Sequence, residues 1–408
     1  MSDPNERDVA AALRAASPIL LGSGPVAAPA VEPPNPDETW ELPSGMAWVY
    51  YGDRGHGGLT RPVILADGFN SGPSTLKFSY SGLEQNGRYP LISELRKRGR
   101  DVILLGFTER SASILDNSHA ARAAIMRAIA QRAGGEPLVV GGFSMGGLVT
   151  RHALAALETQ GIDHQTATYF SYDSPHRGAN IPISLQSFAH YIRDLDSRFS
   201  DQMNSPAAQQ LLWRHIADWS DKPVMSELRV QFLEELRRVG DWPRRPRLLG
   251  LANGPGNGVG NGIGAGRTAV RGKGIGIFGT DLRTTPTGGD DLAALLRVVT
   301  VQKNEVHTPD LPDIDGAPGG TLAGFGILAD GLNKIFGLGV ENPIPEHCFV
   351  PAVSAVDVRN LDTHAELYTP IDELVPEESA FDDFVLASSS EPHTQITEEL
   401  CGWLLDRI

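Results

Sequence analysis

The chain has 408 residues, long enough to bury a sizeable core as one large or two ordinary domains. Its formal net charge of −15 argues against a nucleic-acid partner, which would need a basic face, and against steering toward anionic lipid. The nearest approach to a membrane span, Leu322 to Leu338, is broken by Asp330, Asn333 and Lys334 and falls short of about 18 uninterrupted apolar residues.

Residues 1–38 are rich in Ala and Pro and end in Val31-Glu32-Pro33-Pro34-Asn35-Pro36-Asp37-Glu38. Such a composition buries too little to order itself, so the segment is expected to be a disordered N-terminal arm. Its start is polar and acidic, without the apolar core of a leader peptide. A soluble chain is expected, cytoplasmic as it stands, or secreted if a leader was removed. Met46 to Tyr51 opens the folded part, 39–408, as a strand. A regular alternation follows: strand 62–66, helix 90–98, strand 101–106, helix 119–132, strand 137–142, helix 146–158, strand 166–172. Pro90, and Asn117-Ser118 ahead of Ala120, serve as helix-start signals. Strict alternation implies right-handed crossovers and a mostly parallel sheet with helices on both faces.

After Gly178 the pattern changes. Residues 183–240 read as successive amphipathic helices, the last carrying Leu228, Phe232 and Leu236 on one face and stopping at Gly240. Strand 247–252 then runs into Asn253-Gly254-Pro255-Gly256-Asn257-Gly258-Val259-Gly260-Asn261-Gly262, a mobile or ligand-shaped loop. That loop lacks the lysine of a phosphate loop and the carboxylates of a calcium loop. Segments 268–279 and 293–302 are strand-like, 306–345 is rich in Pro and Gly, and the sheet resumes at 348–355 and 384–387. The two cysteines, Cys348 and Cys401, allow one disulfide, but Cys401 lies on the apolar face of the last helix and reads as a small buried residue.

The most informative motif is Gly142-Phe143-Ser144-Met145-Gly146, at the corner between strand 137–142 and helix 146–158. Glycines on either side permit a turn tight enough to hold a hydroxyl out at the end of the sheet, and the following helix N-terminus offers unpaired N–H groups to a developing oxyanion. Here the chain resembles the α/β-hydrolase superfamily on its lipase and esterase side. Two further segments carry the resemblance. Asp67-Gly68-Phe69 follows strand 62–66 where such lipases have a His-Gly-aromatic turn, Asp67 replacing the His. Ser174-Pro175-His176-Arg177-Gly178 is similar to their Pro-His-x-Gly turn. The likeness spans roughly residues 45–180 and the C-terminus.

The resemblance implies an α/β-hydrolase fold with an inserted helical cap, at about 180–245, ahead of an irregular Gly/Pro-rich insertion at about 253–345. Phe188, Tyr191, Trp213 and Trp219 would line an acyl site under that cap, or simply pack between helices. Ser144 would be the nucleophile, with the N–H groups of Met145 and Phe69 forming the oxyanion hole. The base belongs on the loop after the last strand, which selects His393 among the histidines, with Thr394 capping the final helix. His152, His176 and His347 are its rivals. The usual place for the acid, after strand 247–252, holds no carboxylate. Some lipases carry it one strand earlier, where Asp173 stands; Glu346, Asp357 and Asp382 are the alternatives. The expected chemistry is hydrolysis of carboxylic esters with apolar acyl groups. No cofactor and no metal are implied; the partner is a small-molecule or lipid-like ester. A transferase, lactone-forming enzyme or thioesterase would use the same residues.

Overall fold

The computed structural model describes residues 6–18, 21–22, 32–53, 57–84, 88–299 and 302–408. In chain order, helix α1 (Glu6–Ala15) precedes strands β1 (Glu38–Leu42), β2 (Gly45–Tyr50) and β3 (Pro62–Ala66). Then come α2 (Leu76–Glu84), α3 (Leu91–Lys97), β4 (Asp101–Phe107), α4 (Ile114–Gln131), β5 (Leu138–Phe143), α5 (Met145–Thr159) and β6 (Thr166–Tyr172). Four helices follow, α6 (Ile183–Tyr191), α7 (Arg198–Met203), α8 (Pro206–Leu211) and α9 (Glu227–Arg238), before β7 (Arg247–Ala252).

The insertion contributes β8 (Thr268–Gly272), β9 (Asp281–Arg283), β10 (Asp291–Leu296), β11 (Asn304–Thr308), β12 (Gly319–Leu322), α10 (Gly324–Asn333) and β13 (Val340–Glu341). Strand β14 (His347–Pro351), the short helices α11 (Ala352–Ala355) and α12 (His364–Leu367), β15 (Asp383–Leu386) and α13 (Glu398–Leu405) complete the chain.

Eight strands form the main sheet in the order β1-β2-β4-β3-β5-β6-β7-β15. β2 runs antiparallel to β1 and to β4; every pairing from β4 to β15 is parallel. Its central strands are apolar runs rather than alternating ones because both faces are covered. Val63 and Leu65 of β3, with Val102 and Leu104 of β4, pack against Tyr80, Leu91, Ile92, Leu400 and Leu404 of α2, α3 and α13. Ile64 and Ala66, with Ile103 and Leu105, face Ala121, Ile125, Leu148 and Val149 of α4 and α5. The insertion builds a second sheet, β11-β10-β9-β8-β13, and supplies β12 to a two-stranded ribbon with β14, so the segment 348–355 expected to resume the main sheet does not join it and only β15 does.

Several boundaries differ from the sequence reading. α4 begins at Ile114 with Ser113 as its cap, so Asn117 and Ser118 lie inside the helix. α13 is capped by Thr397, whose hydroxyl accepts the Leu400 N–H at 3.3 Å, and not by Thr394. In the segment expected to be a disordered arm, the described residues include α1, whose Val9, Ala10 and Leu13 are buried, with Arg198 donating to the Leu13 carbonyl at 2.9 Å. The Asn- and Gly-rich loop is stitched down: Asn261 donates through its N–H to the Gly316 carbonyl and through Nδ2 to the Asp315 carbonyl. Cys348 and Cys401 are buried and free. No helix among the described residues is long and apolar enough to cross a membrane.

Candidate active site

The C-terminal ends of the parallel strands open on one region, where loops from β3, β5, β6 and β7 converge with the loop after β15. Ligands of open α/β sheets bind at this edge. Ser144, at the end of β5, holds φ 53° and ψ −124°, a backbone that an L-residue adopts at a cost of order 1–3 kcal/mol. The flanking glycines explain how the chain tolerates it. A Cβ on Gly146 would overlap the Ala66 carbonyl oxygen and stand 2.6 Å from that of Asp67. A Cβ on Gly142 would overlap the Gly146 backbone. The turn is thus wedged against β3, and the Ser144 N–H is tied to the Tyr172 carbonyl at 2.9 Å.

His393 reaches across from the loop after β15. Its Nε2 lies 2.7 Å from Ser144 Oγ, and its Nδ1 lies 2.6 Å from Asp173 Oδ2. All three side chains are buried. The carboxylate only accepts, so Nδ1 carries the ring proton and Nε2 presents its lone pair to the serine hydroxyl. Asp173, at φ 49° after β6, is steadied from its other side: Oδ1 accepts the Asn253 N–H at 3.0 Å. Asn253 occupies the end of β7, and its Nδ2 donates to the Gln395 carbonyl at 3.0 Å. Tyr172 donates its hydroxyl to the same carbonyl at 2.7 Å. The position that lacks a carboxylate therefore supplies two donors that brace the neighbouring acid and the His393 loop. The sequence reading left this role unassigned, because the donor to Asp173 is a backbone N–H and the identity of Asn253 does not announce it.

The rival residues have other partners. His176 takes a hydrogen bond from Arg151 on Nδ1 at 3.2 Å and bonds Ser171 through Nε2 at 2.8 Å. Burial holds it well below the usual histidine range, so it is a neutral structural residue. His152 contacts Ser118 and Glu235. His347 is buried, donating to the Cys348 carbonyl, and burial lowers it to about 4. Asp357 pairs with Arg177 at 2.5 Å, Asp382 accepts the Leu248 N–H at 2.7 Å, and Glu346 accepts from Thr321 at 3.2 Å. None of these three carboxylates bonds His393.

Met145 is the first residue of α5, so helix geometry leaves its N–H without an intrahelical acceptor. Phe69 lies on the turn after β3. That turn is fixed by Asp67, whose Oδ1 accepts the Gly68 N–H at 2.8 Å and whose Oδ2 accepts the Ser74 hydroxyl at 2.7 Å. Ser74 in turn accepts the Phe107 N–H at 2.9 Å, tying the turn to the end of β4. Asp67 is therefore a local brace of this turn.

Beside His393 lies a cavity of about 220 Å³. Phe78, Leu83, Phe143 and Ile396 contribute its apolar wall, and Asp67, Ser79 and Arg110 its polar rim. α2 roofs it, and no residue of the expected cap region lines it. Phe188 is buried in the main core, Tyr191 and Trp219 pack edge to face at 5.8 Å, and Trp213 donates to Asp362 at 3.0 Å. None of the four aromatics lines the cavity.

No protein-family model and no curated protein matches the sequence. Solved structures similar to the chain include the mature form of the lipase BlEst2 from Bacillus licheniformis, at 15% identity over 57% of this chain and 75% of that one, with a TM-score of 0.33. An α/β serine hydrolase without lid from Xanthomonas campestris is 21% identical over 36% of this chain and 65% of its own, with a TM-score of 0.25. The acylaminoacyl peptidase of Pyrococcus horikoshii is 14% identical over 52% of this chain and 31% of its own, with a TM-score of 0.29.

Proposed function

We propose that this protein, whose fold is that of the α/β-hydrolases, is a serine hydrolase that cleaves carboxylic esters with apolar acyl groups. The observation that carries the reading is the buried hydrogen-bonded chain from Ser144 through His393 to Asp173, at 2.7 and 2.6 Å, mounted on a strained strand-to-helix turn.

A serine hydroxyl is a weak nucleophile until a base takes its proton, and His393 Nε2 is within reach to do so. In the proposed mechanism Ser144 Oγ attacks the ester carbonyl while its proton passes to His393. The negative charge on the former carbonyl oxygen is received by the Met145 and Phe69 N–H groups. The imidazolium, stabilised by Asp173, then gives its proton to the departing alcohol. Water then attacks the acyl carbon as it gives a proton to His393, and the acid leaves as the bond to Ser144 Oγ breaks and His393 returns that proton to Oγ. The cavity beside His393, walled by Phe78, Leu83, Phe143 and Ile396, supports an apolar group on the substrate.

The test is labelling with a fluorophosphonate, followed by peptide mapping and turnover of p-nitrophenyl esters. Adduct on the Ser144 peptide is expected, with loss of both label and turnover in Ser144→Ala. A folded Ser144→Ala protein that keeps near-native turnover overturns the reading.

A further inference from the structure

The ribbon pairs β12 of the Gly/Pro-rich segment with β14 just beyond it, and it touches both members of the acid–base pair. On its edge, the Thr321 carbonyl accepts the His393 N–H at 2.7 Å, and the Thr321 N–H donates to the Glu391 carbonyl at 2.9 Å. These two bonds clamp the short loop that carries His393. One residue earlier, Gly320 lies flat against the acid: a Cβ there would overlap Asp173 Oδ2 and stand 3.0 Å from its Cγ. Gly319 is equally confined, with the Pro351 Cα 2.7 Å and the Cys348 Sγ 2.8 Å from where a Cβ would be. From the partner strand β14, the Phe349 ring meets the His393 imidazole edge to face, 4.7 Å between centroids at 74°.

Oδ2 is the atom that accepts the His393 proton. A side chain at residue 320 would therefore press on the one oxygen whose place sets the tautomer and direction of the imidazole. Gly320 carries no positive φ, so its backbone does not call for glycine; the close approach does.

We propose that the β12-β14 ribbon is the positioning element of the acid–base pair. Gly320 sets the depth of the Asp173 carboxylate, the Thr321 carbonyl sets the height of the His393 loop, and Phe349 sets the tilt of the ring. The proposal rests on the reading of Ser144, His393 and Asp173 as the catalytic residues. It assigns to the insertion a part in catalysis in addition to packing.

The test is Gly320→Ala in the full-length protein, alone and combined with Asp173→Asn. Reacting groups displaced by about 1 Å lose about 10²-fold in rate, so kcat should fall by about that factor while KM stays within about threefold. The pH profile carries the specific signature. An imidazolium that loses part of its carboxylate contact is less stable, so the apparent pKa limiting kcat/KM on the acid side should move down. In the Asp173→Asn background, where the carboxylate's contribution is already gone, Gly320→Ala should cost less than about threefold more. An equal loss in both backgrounds, or an unmoved pH profile, overturns the proposal. Should Gly320→Ala not accumulate as folded protein, Phe349→Leu reads the ribbon from its other strand. There kcat should fall several-fold at unchanged KM, and an unchanged kcat overturns the proposal. Ser144→Ala and His393→Ala separate the two readings. If both stay active the catalytic assignment fails; if both are inactive while Gly320→Ala matches wild type, only the ribbon assignment fails.

Discussion

Replacing Asp173 by Asn changes one atom, and the structure determines where that atom goes. The carboxylate has two fixed donors before it, the Asn253 N–H at Oδ1 and the His393 Nδ1–H at Oδ2. The amide oxygen can satisfy only one of them. The Asn253 N–H is backbone at the end of β7 and cannot turn away, whereas the imidazole can exchange its proton between nitrogens. The oxygen therefore goes to Asn253 and the NH₂ faces Nδ1. His393 must then accept on Nδ1 and carry its proton on Nε2, where it points at Ser144 Oγ and cannot act as a base. The same exchange in a protease triad costs roughly 10⁴ in kcat, equivalent to about 5.5 kcal/mol of transition-state stabilisation. A loss of that order is expected for Asp173→Asn with p-nitrophenyl esters, at little change in thermal midpoint because the volume and the Asn253 bond are kept. Turnover within about tenfold of wild type refutes the reasoning. So does a collapse confined to Asp357→Asn or Asp382→Asn, which would place the acid elsewhere.

The apolar wall of the cavity predicts that kcat/KM rises along the acetyl to medium-chain ester series by up to about fourfold per methylene, from about 0.8 kcal/mol per buried CH₂. Leu83→Trp, which fills that wall, should shift the optimum to shorter chains; a flat profile in both proteins counts against an apolar substrate. Stability should fall on acidification because burial holds His347 and His215 down to about 4 in the folded chain. Each is neutral when folded and near 6.5 when unfolded, so its contribution is whole above about 6.5 and is lost as pH falls toward 4, to a total of about 3 kcal/mol apiece. Asp315 works the other way: burial raises it to about 6, so its protonation favours the folded chain as pH falls below that value. Denaturant midpoints between pH 7.5 and 4.5 should show a smaller decline in His347→Leu than in wild type; an identical slope in the two refutes the assignment to His347.

Most of the sheet was legible because its strands are buried on both faces and therefore read as short apolar runs bounded by turn residues. Val63-Ile64-Leu65 and Leu248-Leu249-Gly250-Leu251 need no tertiary information to be recognised. The resemblance pointed to His393 on the loop between the last strand and the last helix, and to Ser144 between glycines, and the folded chain brings these two within 2.7 Å. Asp173 came only from the resemblance, with Glu346, Asp357 and Asp382 left open, since nothing in a sequence says that Asn253 will aim its N–H at the neighbouring strand's carboxylate.

What escaped the sequence has a common physical cause. α1 does carry an apolar face, Val9, Ala10 and Leu13, but it lies in an Ala- and Pro-rich stretch whose composition reads as unstructured, and α2 sets Leu76, Tyr80 and Leu83 on one face within only nine residues among serines and Gly82 that read as turn residues. The helices of 180–245 did declare one, but amphipathicity states that a face is covered without stating by what. Here Phe232 and Leu236 are packed into the main core, and the cavity is lined from α2 instead. The pair Gly319-Gly320 shows the same limit most sharply. In a Pro- and Gly-rich segment two more glycines carry no signal, yet their missing Cβ atoms let a ribbon close on Asp173 and Val350. For Gly320 the information lies in a distance between segments nearly 150 residues apart, and only the folded chain shows that a Cβ there would meet Asp173.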